Sequence, residues 1–264
     1  MAGMSSQSAP SPAAATEPGL AADAGSHTVT VGFDLDMTLI DSRPGIKATY
    51  EALSARTGAY IDVDLAITRL GPPLEQELVH WFPDERIEEM GELYRELYPE
   101  YAIGPTPAMT GAREAIEAVR RAGGRAIVVT AKHRPNAKLH LSHLGIEADA
   151  VIGWLWAEAK AEALREYGAT VYVGDHTGDV RGARTAGALS VAVATGPCAA
   201  DELLTAGADV VLDDLTAFPA WLTGHMDGRR DVGGRTEMGG RTDKGGRTDM
   251  DGRTDMGGRT ATAG

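Results

Sequence analysis

Six short runs rich in β-branched residues, separated by stretches with helical spacing of their apolar positions, leave this chain few folds to adopt. The runs are TVTVGF at 28–33, RAIVVT at 125–130, DAVIG at 149–153, TVYVGD at 170–175, LSVAVA at 189–194 and ADVVL at 208–212. Helix-like segments fall near 109–122, 135–144, 157–167, 178–187 and 199–206. Near-continuous apolar strands are those buried on both faces, and strands that alternate with helices feed a parallel sheet. The pattern predicts an α/β fold, a Rossmann-like parallel sheet with helices on both faces. One connection breaks the rhythm. Residues 44–103 hold no strand pattern, but GIKATYEALSAR, PLEQELVHWF and DERIEEMGELYRELY read as helices. Roughly sixty residues is far more than a parallel crossover needs. The stretch is therefore expected to be a helical cap inserted after the first strand, with residues 28–43 and 104–224 forming the α/β core.

The two ends offer little to bury. Residues 1–27 are rich in Ala, Ser and Pro, with neither a basic start nor an apolar run, and are expected to be a disordered leader rather than a signal peptide. From about Gly224 a hexapeptide repeat sets in, GGRTEM GGRTDK GGRTDM DGRTDM, so 225–264 is expected to be a low-complexity, disordered tail. The formal charge of −13 resides almost wholly in the middle, where residues 28–224 hold 17 Lys and Arg against 29 Asp and Glu. Affinity for nucleic acid comes mostly from cationic contacts to phosphates, so nucleic acid is excluded as a partner. No apolar stretch approaches the roughly eighteen residues that span a bilayer. Cys198 is the only cysteine, which removes intrachain disulfides and thiolate zinc sites. A cytoplasmic location is the expectation, and the oligomeric state is left open.

Polar residues gather where the strands end. Asp34 and Asp36 follow the first run, Thr130 closes the second, Asp175 closes the one before it in TVYVGD, and Asp179 comes four residues later. Lys160 opens the helix that feeds that strand. Parallel sheets bind ligands at the carboxyl ends of their strands, so these stretches converge if the strands are neighbours. Taken singly, an Asp-x-Asp is a capped turn and Lys160 a surface lysine. Together they match phosphoryl transfer through an aspartate, because a carboxylate can attack phosphorus only when a cation and fixed donors offset the charge. Asp34 is the expected nucleophile and Asp36 the general acid and base. Thr130 and Lys160 are expected to hold phosphoryl oxygens. Mg2+ would be ligated by Asp34, Asp175 and the backbone carbonyl of Asp36.

The motifs DLDMT at 34–38, VVTAK at 128–132, Lys160 and VGDHTGD at 173–179 resemble, in order and spacing, those of the haloacid dehalogenase (HAD) superfamily, over about residues 28–222. The helical insertion is similar to the cap of its phosphoglycolate phosphatase-like branch. The resemblance implies an aspartyl-phosphate intermediate, Mg2+ dependence, selection of substrate by the cap and a supporting role for Asp179 in the metal shell. Dehalogenases of the superfamily lack the second Asp of the first motif, so Asp36 points to a phosphatase acting on a small phosphorylated metabolite, a phosphoglycolate-like phosphate monoester. A phosphomutase, or a binding protein that keeps the fold without turnover, are the alternatives. Met37 stands where relatives often carry Gly, Ala131 where Asn often follows the motif Thr, and no Pro follows Lys160. Lys132 reads equally as a phosphate or substrate contact and as a solvated loop lysine. His133, His140, His143 and His176 form no metal spacing, though His176 could line the site by position. Trp81, Trp154 and Trp156 read as packing residues.

Overall fold

A computed structural model describes residues 29–237. The chain divides after Gly224 into two compact units, and the sheet, cap and site belong to the first. Six strands form one sheet: β1 (Thr30–Phe33), β2 (Arg125–Val129), β3 (Ala150–Ile152), β4 (Val171–Gly174), β5 (Leu189–Val193) and β6 (Val210–Leu212). Every pairing is parallel and the order is β3-β2-β1-β4-β5-β6. All residues of β1 and β4 are buried, as unbroken Val-rich runs require when helices cover both faces. The chain builds outward from β1 to β3, then returns to lay β4 on the other side of β1. That reversal makes the carboxyl ends of β1 and β4 the natural crevice for a ligand.

The core helices are α5 (Ala112–Arg121), α6 (Arg134–Leu144), α7 (Lys160–Glu166), α8 (Thr177–Ala186) and α9 (Ala200–Thr205), close to where apolar spacing puts them. One glycine sets a distance that matters for the site. A Cβ on Gly32 of β1 would come within 2.8 Å of both Leu164 Cδ2 and Tyr172 Cδ2. Its absence lets α7 lie close to the sheet, and Lys160 is the first residue of that helix.

Between β1 and β2 the insertion folds as α1 (Arg43–Thr57), α2 (Val63–Ala66), α3 (Leu74–Leu78) and α4 (Ile87–Tyr101), with a 3-10 turn at Asp84–Arg86. It has its own core, including Tyr50, Leu53, Leu78, Phe82, Met90, Tyr94 and Tyr98. The rings of Tyr50, Tyr94 and Tyr98 stack in series at centroid distances of 4.9 and 5.6 Å. PLEQELVHWF, expected as one helix, forms only α3 and a following turn, as Pro83 then stops further helix. The two connections to the core are tied together. Asp41 N donates to Pro107 O at 3.0 Å and Met109 N to Leu39 O at 2.9 Å, which joins them as a short antiparallel pair.

The last helix, α10, runs from Phe218 to Glu237. Residues 225–237 are therefore helical where a structureless tail was expected. Composition argued only that this stretch had nothing to bury, and a helix already nucleated extends at little further cost. The leader and residues 238–264 lie outside the described residues. Among the described residues, no helix is long and apolar enough to cross a membrane.

Candidate active site

Asp34 leaves the end of β1 with its N–H still on the sheet ladder, donating to Val173 O at 2.8 Å. The next residues turn sharply: Leu39 N and Ile40 N both donate to Leu35 O, at 2.9 and 3.0 Å. Met37 sits inside that turn at φ 58°. A left-handed residue with a Cβ costs on the order of 1–2 kcal/mol, the physical reason that the family resemblance leads one to expect Gly here. Met37 offsets this by burial, being 3% exposed, and its carbonyl accepts from Thr195 Oγ1 at 2.6 Å. The turn aims the two motif carboxylates at different partners. Asp34 faces Lys160, with Nζ to Oδ1 at 2.9 Å, whereas Asp36 faces Lys132, with Nζ to Oδ1 at 2.8 Å.

Lys160 is 1% exposed and all three of its ammonium protons have partners. It donates to Asp34 Oδ1 at 2.9 Å, to Asp179 Oδ1 at 2.6 Å and to the Tyr172 hydroxyl at 2.8 Å. Tyr172 in turn donates to Val129 O at 2.7 Å. In this geometry Lys160 reaches a phosphoryl oxygen only by exchanging one of these bonds. Burial alone would pull its pKa down, but Asp179 and Asp34 outweigh burial and raise it, so the ammonium stays charged.

Asp175 and Asp179 flank the start of α8. His176 caps that helix: its Nδ1 accepts from Gly178 N at 2.9 Å, and Asp179 Oδ2 accepts from His176 N at 3.1 Å. Asp179 thus has both oxygens engaged. Asp175 accepts from Thr38 Oγ1 at 2.9 Å through Oδ1. Its Oδ2 lies so close to Gly196 that any Cβ there would collide with it. Thr130 is buried at the end of β2, its Oγ1 accepting from Lys132 N at 3.2 Å.

The donor set fits a hard divalent cation. Carboxylate oxygens of Asp34, Asp175 and Asp179 lie within 4.8 Å of one another, all three side chains buried. Lys160 answers only one of their three charges. The consequence is visible in the protonation: Asp34 is pushed up to about 7 by burial, with the Asp179 and Asp36 charges adding and Lys160 opposing. Asp175 is pushed well above the carboxylate range by burial and by Asp179 and Asp34. Two positive charges at this point would relieve both. The Asp36 carboxylate is not part of this group, so any metal role for Asp36 rests on its main-chain carbonyl.

Asp36 opens instead on a cleft between core and cap, whose empty space, together with the open solvent at its mouth, comes to about 780 Å³. Burial alone would raise its carboxyl, but the charge and hydrogen bond of Lys132 outweigh it and hold it below the usual range. Lys132 is no solvated loop residue: its side chain is 9% exposed and its ammonium lies 4.8 Å from the centroid of the Tyr98 ring. Tyr98 then meets His140, with OH to Nε2 at 2.9 Å. His133 and His143 join no cluster of metal ligands among the described residues. Trp156 packs on His176, but Trp154 is 54% exposed and lines the cleft, contrary to a packing role. Thr38, Tyr172 and Gly196 escaped the sequence reading. Thr38 closes the DLDMT motif and Tyr172 places a hydroxyl inside a fully buried strand, so both carried a signal. Gly196 carried none, because only the fold brings it to Asp175.

A model of the haloacid dehalogenase-like hydrolase family matches residues 31–193. The tyrosine-protein kinase PtkA of Mycobacterium tuberculosis is 31% identical over 195 residues, covering 69% of this chain and 67% of its own. The probable phosphatase IndB of Dickeya dadantii is 29% identical over 201 residues, covering 69% of this chain and 87% of its own. Among solved structures, a haloacid dehalogenase-like family hydrolase from Streptococcus pneumoniae superposes with a TM-score of 0.66 at 22% identity, over 74% of this chain and 99% of that one. At that identity the likeness speaks for the fold.

Proposed function

The chain belongs to the haloacid dehalogenase-like hydrolases, and from that premise we propose that it is a Mg2+-dependent phosphatase that hydrolyses a small phosphorylated metabolite through an aspartyl-phosphate on Asp34. The observation that carries this reading is the division of labour between the two motif carboxylates, one in the acidic centre with Lys160 and the other on the cleft with Lys132.

Asp34 would attack phosphorus, forming its O–P bond as the ester O–P bond breaks. Asp36 would give a proton to the departing alkoxide, then take one from the water that attacks the aspartyl-phosphate and frees inorganic phosphate and Asp34. With Lys132 beside it Asp36 is held ionised, so the arriving phosphate must draw Lys132 away before Asp36 can carry that proton. Thr130 has its hydroxyl proton to offer a phosphoryl oxygen, and Lys160 offsets charge as it develops. Asp34, Asp175 and the Asp36 carbonyl would hold Mg2+, with Asp179 supporting that group through Lys160 and His176. Bound there, the cation would neutralise phosphoryl charge. The similar branch of the family would make the substrate phosphoglycolate-like. The residues that line the cleft bear on that choice.

A second reading, transfer of the phosphoryl group to a tyrosine hydroxyl, is favoured by the name of the mycobacterial relative. Phosphate release from a panel of phosphate monoesters with Mg2+ and with EDTA separates the two. Release that needs Mg2+ and vanishes in Asp34→Asn is expected. Label passing from a nucleoside triphosphate to a tyrosine peptide, without release from any monoester, would overturn the phosphatase reading.

A further inference from the structure

Asp36 hands its proton to the leaving oxygen, so the alcohol part of the substrate must occupy the cleft that Asp36 borders. The charges lining that cleft are already matched. Arg69 holds Glu77 in a two-pronged pair, Nε to Oε2 at 2.9 Å and Nη2 to Oε1 at 2.5 Å, and Trp81 Nε1 adds a bond to the same carboxylate at 2.9 Å. Arg95 pairs with Glu75, and Lys132 with Asp36. His133 has its pKa lowered by burial and by the Arg95 charge, which disfavours it as a further cation. Among the described lining residues no cation is spare.

A second ionised group on the substrate would have to displace a partner from one of these part-exposed pairs, which gains little, or lie in the cleft uncompensated, which costs its desolvation. The apolar side is rich by comparison. Tyr50, Tyr94 and Tyr98 supply rings from the cap, and Trp154 supplies one from the core. Trp154 is fixed rather than loose. Its N–H donates to Lys132 O at 3.1 Å, its backbone is left-handed at φ 63°, and the Arg95 guanidinium lies 4.7 Å from its ring centroid. Its ring also meets His133, centroids 5.0 Å apart, yet stays over half exposed where it lines the cleft, which leaves a stacking surface.

Resting on the phosphatase reading of the same site, we infer that the substrate is a phosphate monoester whose alcohol carries an aromatic ring and no second ionised group, with Trp154 as the specificity-determining residue. A phosphoglycolate-like ester, with its carboxylate, is thereby disfavoured.

The test compares benzyl phosphate with 2-phosphoglycolate, whose leaving alkoxides are of comparable basicity, so that kcat/KM reports the cleft rather than the bond. In the Mg2+-loaded full chain, benzyl phosphate is expected to be preferred by about 10-fold or more, within the range an apolar pocket can supply. Trp154→Ala should lower that ratio several-fold, and Trp154→Phe should restore most of it. A wild-type ratio at or below one, or a ratio that Trp154→Ala leaves unchanged, would overturn the inference. Calorimetric binding of 2-phenylethylphosphonate and 3-phosphonopropionate to the same Mg2+-loaded proteins needs no turnover. If no ester is hydrolysed, the phosphatase reading fails alone and binding decides: tighter 2-phenylethylphosphonate binding lost in Trp154→Ala upholds the cleft assignment. Equal or no binding overturns it.

Discussion

Among the described residues, Lys160 is the cation set beside Asp34 and Asp179, and it shows how much a single side chain decides here. Two carboxylates and a phenol share its three protons. Removing one partner of a buried pair leaves the others desolvated and unpaired, typically at a cost of 3–5 kcal/mol. The acids can take up protons, which softens the loss, so Lys160→Met is expected to destabilise the metal-free protein by about 3 kcal/mol. Urea unfolding in EDTA measures this, and a loss below about 1 kcal/mol would mean that Lys160 does not neutralise the group. The part of Lys160 that the sequence conveyed was its place at the start of a helix feeding a strand. Its use of Tyr172 was not legible, since the strand pattern marks Tyr172 as buried without saying what its hydroxyl faces. Lys132 was ambiguous for a related reason. Its partner Asp36 lies in a loop far away in sequence, and only the parallel pairing of β1 with β2 brings the two ends together.

At the level of elements, α4 of the cap and α6 of the core meet through Tyr98 and His140. His140 is fully buried, and burial together with the Lys132 charge brings its pKa down to about 4. Its folded pKa thus lies below the unfolded value of about 6.5. Between these values the unfolded chain binds the extra proton and the folded chain does not, so this residue makes stability fall as pH drops from about 6.5 towards 4. The slope is at most about 1.4 kcal/mol per pH unit. Gln at position 140 can still accept from Tyr98 but does not titrate. The melting temperature of His140→Gln is therefore expected to fall less than that of the wild type between pH 7 and 5. Parallel curves would show that His140 does not resist protonation in the fold. The strands and most helices were legible because unbroken apolar runs and 3.6-residue spacing reflect burial directly. The break after α3 and the paired linkers were not, because both depend on packing between segments that local patterns do not join.

For the molecule as a whole, the strand order places β1 and β4 side by side at the reversal of the sheet, and the acidic centre stands at their carboxyl ends. The cap closes the neighbouring cleft on which Asp36 opens, and its Gly71 lies against His176 at the start of α8. Chain order alone told that four motifs would meet if their strands were neighbours; the neighbours themselves come from the topology. Gly196, arriving after β5 to lie against Asp175, is the clearest contribution that only the completed sheet reveals. The proposed chemistry turns on Asp34 as the nucleophile. Its most direct test is to quench the Mg2+-loaded enzyme in acid during turnover of a reactive phosphate ester and locate the phosphoryl group by peptide mass spectrometry. A phosphoryl adduct on Asp34, absent from Asp34→Asn, is the predicted result. Continued phosphate release by Asp34→Asn, or an adduct on any other residue, would contradict it.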